Sequence, residues 1–127
     1  MYKYFADENV DFAVVECGMG GKGDATNVES KNISVITSVA VDHTAFLGNT
    51  VEEIAKEKSG IIKQGCTCVL YPNPKCEKII ENVCNKNNSK LIKIDDTGNF
   101  LENDIACAQA VLDELSINIK AKNPKLS

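Results

Sequence analysis

Four short apolar runs, at residues 12–15, 33–41, 66–71 and 91–94, are separated by stretches with more polar sequence or apolar residues at helical spacing. This alternation constrains the fold most, because strands joined through helices are not hairpin partners. It predicts an α/β domain with a mostly parallel sheet and helices on its faces. Phe12-Ala13-Val14-Val15 ends at Glu16 and a glycine cluster, as a strand buried on both faces would. Residues 1–9 could supply the last turns of a helix before it. Thr50, with Glu53 three residues on, fits a capping box opening a helix that runs to about Ser59. Asn73-Pro74 places a cap and then a proline at the start of the next helix. Its stripe is Cys76, Ile79, Ile80, Val83 and Cys84, and it should end near Lys86. Leu101, Ile105, Ala108, Leu112 and Leu115 predict a last helix. Residues 1–115 form the expected domain and residues 116–127 a tail.

At 127 residues the chain has room for one domain with a real core. A formal net charge of -4, with basic residues scattered, argues against nucleic acid or an anionic membrane as partner. No apolar run approaches the roughly 20 residues that span a bilayer, and the N-terminus lacks a secretory pattern. The expected location is cytoplasmic. The six cysteines form no C-x-x-C pair and mostly fall on apolar stripes or a strand, which predicts reduced core thiols. Cys66-x-Cys68 is a weak metal signal, so a non-catalytic metal-binding module stays open as an alternative.

Ligands of open parallel sheets bind beyond the carboxyl ends of the strands. Glu16 sits at the end of the first predicted strand, and Asp42-His43 just past the second. If those strands are neighbours, a carboxylate and the single histidine meet in one cleft. Alternatively, Glu16 caps the glycine loop and His43 bonds locally; spacing does not choose between these readings. Gly18-Met19-Gly20-Gly21-Lys22-Gly23 matches the G-x-G-x-x-G pattern of a dinucleotide-binding oxidoreductase module, a second alternative. That pattern needs a helix starting at the glycines, and Asp24-Ala25-Thr26-Asn27 offers no helical apolar stripe. It is not a phosphate-binding P-loop either, since Lys22 precedes glycine and not Ser or Thr. Lys58 is the remaining oddity: it falls on the inward stripe of Val51, Ile54, Ala55 and Ile62. It either snorkels from a helix end or is kept inside for charge pairing or amine chemistry.

Phe12-Ala13-Val14-Val15-Glu16-Cys17-Gly18-Met19-Gly20-Gly21-Lys22-Gly23-Asp24-Ala25-Thr26-Asn27 resembles the central domain of the folylpolyglutamate synthase/dihydrofolate synthase family, among the Mur-type ligases. Thr37-Ser38, Asp42-His43-Thr44, Leu47-Gly48, Glu57-Lys58-Ser59-Gly60-Ile61-Ile62-Lys63 and Gly65 continue the match. The close resemblance covers residues 12–65, and beyond Cys66 it is architectural only. It implies a partial Mur-ligase-like central domain of an enzyme that activates a folate carboxylate with ATP, then joins the acyl phosphate to L-glutamate. Some relatives also join dihydropteroate to the first glutamate. It further implies that Glu16 and His43 bind Mg2+, and that Lys58 is carbamylated near a second metal. A lysine amine reacts with carbon dioxide only when neutral, the form that burial favours. Three departures are visible: no Gly-Lys-Ser/Thr loop stands in the chain, Lys22 replaces the usual Arg, and the stretch between Ile94 and Leu101 is short. The expectation is a fragment of the ligase that is inactive alone.

Overall fold

Each strand keeps four residues in the ladder, fewer than the runs at 33–41 and 66–71 offered. The computed structural model describes residues 1–28, 33–40 and 48–117. Within them the order is α1 (Tyr2–Asp7), β1 (Ile33–Ile36), α2 (Val51–Lys58) with a 3-10 turn (Ser59–Ile61), β2 (Thr67–Leu70), α3 (Pro74–Lys86), β3 (Lys90–Lys93) and α4 (Phe100–Glu114). The three strands form one parallel sheet in the order β1-β2-β3. Ile33 stands opposite Thr67, and Thr67 opposite Lys90. Helices connect the strands, as the sequence alternation required.

Side chains alternate across a strand, so Ser34, Ile36, Cys68 and Leu70 share one face. Against it pack Ile54 and Ala55 of α2, Ile62, and Cys76, Ile80 and Cys84 of α3. Ile54 and Ile80 are fully buried, each contributing about 1.5–3 kcal/mol relative to exposure. The four-residue spacing of Cys76, Ile80 and Cys84 makes them one stripe, and α3 begins and ends where its signals predicted. Asn73 accepts a hydrogen bond from the Lys75 amide, and Pro74 takes the first helical position. On the other sheet face Thr67 Oγ1 donates to Glu114 of α4 at 2.7 Å, beside the buried Val69. Two helices therefore cover one face and α4 the other.

Two expectations fail. Residues 12–15 form no strand: Phe12 is 59% and Val14 101% exposed. A strand buried on both faces needs ladder neighbours for its backbone, and among the described residues nothing pairs with this run. The second concerns α4, whose inward face is not the purely apolar stripe. Asn103 and Cys107 are the buried positions, whereas Ala108 and Leu115 are exposed. Polar anchors orient the helix: Asn103 binds the loop before it, and Glu114 binds Thr67 and Lys90. None of the six cysteines is in a disulfide, and only Cys17 is not buried.

Candidate functional site

The site is built where a glycine-rich loop is pressed against the end of a helix. Thr50 caps α2 by accepting from the Glu53 amide at 3.1 Å. Glu53 returns the interaction one residue further out, accepting from the Asn49 amide at 2.8 Å. The helix buries Ile54 and Ala55, then tightens into the 3-10 turn, where Ser59 Oγ donates to the Lys56 carbonyl at 2.7 Å. Lys58 lies at this junction. It is half-buried, at the border of the stripe that includes Ile54, Ala55 and Ile62, while Lys56 is exposed.

The glycine loop meets that junction backbone to backbone. A β-carbon on Gly21 would stand 2.7 Å from the Lys58 carbonyl oxygen and 2.8 Å from that of Glu57. One on Gly60 would stand 2.6 Å from Lys22 Cα. Glycine is required on both sides because no other residue leaves room. The Lys22 amide donates to the Glu57 carbonyl at 3.1 Å, and the Gly23 amide to Glu57 Oε1 at 3.3 Å. Asn27 Nδ2 closes the contact, donating to the Lys22 carbonyl at 3.1 Å and the Gly60 carbonyl at 3.2 Å.

Asp24 holds the loop's own shape. Its carboxylate accepts from the Met19 amide at 3.0 Å, from the Thr26 amide at 2.8 Å and from the Thr26 hydroxyl. The Thr26 hydroxyl first, then those amides, hold its carboxyl down to about 2. Tyr2 of α1 ties on through its hydroxyl, which donates to the Thr26 carbonyl at 2.6 Å.

This arrangement gives the dinucleotide alternative no support. No helix begins at Gly20–Gly23, where residues 21–26 are turns and bends, and the glycines serve close approach to α2. Among the described residues no group of three or more His, Cys, Asp or Glu could hold a metal, so the cysteine-based metal module gains no support. Glu16 is exposed and follows an irregular segment instead of ending a strand. His43, with Asp42 and Thr44, lies outside the described residues. The structure thus brings together the loop that follows Glu16 and the turn carrying Lys58, although no hydrogen bond or ion pair joins Glu16 to Lys58.

Glu57 and Asn27 carry no sequence signal of their own for this contact. The available signal was a glycine just past a helix end, Gly60, set against a second isolated glycine cluster. Asn103 was missed as well, because a stripe counted on apolar residues passes over a buried amide. Among the described residues no helix is long and apolar enough to cross a membrane.

Known proteins match this chain in sequence and in fold. Residues 1–124 match the Mur ligase middle domain. The dihydrofolate synthase/folylpolyglutamate synthase of Bacillus subtilis is 52% identical over 69 residues, which are 54% of this chain and 16% of that protein. A folylpolyglutamate synthase solved with AMPPCP and folate superposes with a TM-score of 0.70 at 40% identity, covering 74% of this chain and 23% of that one. The Mycobacterium tuberculosis folylpolyglutamate synthase, solved with ADP and AMPPCP, gives 0.68 at 36% identity over 75% of this chain and 23% of its own. The chain therefore spans under a quarter of the length of each of these ligases. With a parallel sheet, a glycine loop docked on the Lys58 turn and a profile match over nearly its whole length, the chain belongs to the Mur ligase middle-domain family.

Proposed function

We propose that these residues are the middle-domain portion of an ATP-dependent ligase that extends folate with L-glutamate. In this reading a folate carboxylate oxygen attacks the γ-phosphorus of ATP, and ADP leaves. The glutamate amine then attacks the acyl carbon, and phosphate leaves as the amide forms. The observation that supports it is the docking of the Gly18–Gly23 loop on the Glu57-Lys58-Ser59-Gly60 turn, since the two matched motifs come together there.

Glu16 fits a magnesium ligand by chemistry, as an exposed carboxylate offering hard oxygen donors. His43 would be its partner by the family resemblance, and the ion, when bound, would neutralise charge on the transferring phosphoryl group. Lys58 is the proposed catalytic residue. Its half-buried amine would take up carbon dioxide, forming an N–C bond and releasing a proton, and so present a carboxylate where an ammonium stood. The 127-residue chain has no Gly-Lys-Ser/Thr loop to cradle phosphates, so by itself it should bind Mg-ATP weakly.

The test is a full-length ligase carrying these residues, assayed for glutamate added to folate with and without Lys58→Ala. Loss of turnover in the variant, with folding retained, supports the reading. Unchanged turnover, or absence of ATP-dependent ligation in the unaltered enzyme, removes it.

A further inference from the structure

Asn27 stands apart from the other residues of the loop because it spends both hydrogens of its side-chain amide on backbone carbonyls from two different segments. One acceptor, Lys22, belongs to the glycine loop; the other, Gly60, belongs to the turn after α2. The last carbonyls of a helix lack intrahelical partners. Asn27 supplies one to Gly60 from outside the helix, at a half-buried position.

The consequence falls on Lys58. Its carbonyl oxygen and Cα face Gly21, and the preceding carbonyl, on Glu57, accepts from the Lys22 amide. Two residues later Gly60 faces the Lys22 backbone. The backbone that launches the Lys58 side chain is therefore gripped on both sides by the loop. Asn27 is the only side chain among the described residues that hydrogen-bonds both halves of that grip. Serine offers one hydrogen where two are needed. Aspartate, ionised, would turn acceptor oxygens toward two carbonyl oxygens, which repels.

We infer that Asn27 is a positioning residue for Lys58: it locks the glycine loop, which begins just after Glu16, onto the helix end that carries the lysine. It touches no reacting atom. The inference rests on the catalytic reading of Lys58 given above. A misplacement of about 1 Å can cost on the order of 100-fold in rate, so a contact of this kind matters without being part of the chemistry.

The test compares Asn27→Asp, Asn27→Ser and Lys58→Ala in the full-length ligase, with circular dichroism and thermal unfolding as folding controls. The readouts are kcat, the KM values for ATP and glutamate, and the bicarbonate concentration giving half-maximal activity. For folded Asn27→Asp the expected result is a kcat lowered about 100-fold, KM values within about twofold, and a raised bicarbonate requirement. Folded Asn27→Asp with full kcat and an unchanged bicarbonate requirement, beside an inactive Lys58→Ala, overturns the positioning role and leaves Lys58 standing. Active Lys58→Ala overturns the catalytic reading itself, and the positioning role with it. Should Asn27→Asp fail to fold, Asn27→Ser and the native chain decide. The Asn27 side-chain amide hydrogens should exchange more slowly in the native chain than in the denatured one; exchange at the denatured rate overturns the inference.

Discussion

The backbones of Gly21 and Lys58 touch: a β-carbon on the glycine would stand 3.0 Å from the lysine's Cα and closer still to its carbonyl oxygen. That contact turns a glycine cluster resembling a nucleotide-binding motif into a packing surface. It also yields a graded test. Gly21→Ala meets backbone on α2, which cannot swing aside as a side chain can, so we expect a loss of about 1–3 kcal/mol in unfolding free energy. Gly60→Ala, which meets the Lys22 backbone, should behave alike. Gly23→Ala has nothing within 4 Å of its new methyl group and should stay within about 0.5 kcal/mol of the native chain. Urea unfolding of the three variants decides; equal effects at 21 and 23 would discredit the close approach.

Asp24 makes the loop pH-sensitive at the acid end. Its folded-state value lies at about 2, below the ordinary 3.8, because the Thr26 hydroxyl and the Met19 and Thr26 amides stabilise the carboxylate. A depressed carboxyl contributes stability that is fully present above the unfolded value and is lost as pH falls through the folded one. The window therefore runs from about 3.8 down to about 2. Amide resonances of Met19 and Thr26 should titrate together with a midpoint near the lower figure, and Asp24→Asn should abolish that step. A shared midpoint near the ordinary value would show that the carboxylate is not held.

Asn103 is fully used by its surroundings. Its Oδ1 accepts from the Thr97 amide and hydroxyl, both at 3.0 Å. Its Nδ2 donates to Asp96 at 2.9 Å and to the Tyr71 hydroxyl at 3.4 Å. Replacement by alanine strands groups in the loop before α4 and should cost about 1–3 kcal/mol. A second readout ties the cost to this cause. The Asn103 amide, followed by the Gly98 N–H, holds the Asp96 carboxyl below the usual carboxylate range. In Asn103→Ala that carboxyl should titrate closer to its ordinary value by NMR; an unmoved Asp96 would mean the hydrogen bond is not formed in solution.

What could be read from the sequence was what local chemistry decides. Asn73-Pro74 and the Cys76, Ile80, Cys84 spacing marked α3 from end to end, because cap, proline and period all act within a few residues. The Phe12–Val15 run was misread for the opposite reason. A central strand is stable only through neighbours, and β-propensity cannot report whether they are paired with it. The face of α4 was missed because an amide satisfied on every side buries as well as a leucine does. The Gly21–Lys58 contact left no periodic trace at all. Glycines that admit a distant backbone have no side chain with which to announce it, so the motifs could be recognised before their contact could be derived.

Lys58 is where stability and activity should separate. It is only half-buried, and its helix end is held by contacts of the backbone, of Glu57 and of Asn27, none of which uses the lysine side chain. Lys58→Ala should therefore leave the 127-residue chain folded, with an unfolding free energy within about 0.5–1 kcal/mol of native. On the role proposed for Lys58, the same change in a full-length ligase should lower glutamate addition at least about 100-fold, because the carboxylate it would present to a metal is lost. Carbamylation adds a further distinction. An anion at residue 58 is costly unless a cation or donor satisfies it, and no such partner is bonded to Lys58 among the described residues. With ¹³C-labelled bicarbonate, a lysine carbamate signal should be absent from the isolated chain and should appear in the full-length enzyme supplied with magnesium and ATP. A signal of equal strength in both would show that the loop-and-turn unit alone satisfies the modified lysine. A signal in neither, with Lys58→Ala fully active, would leave Lys58 as a snorkelling helix-end lysine.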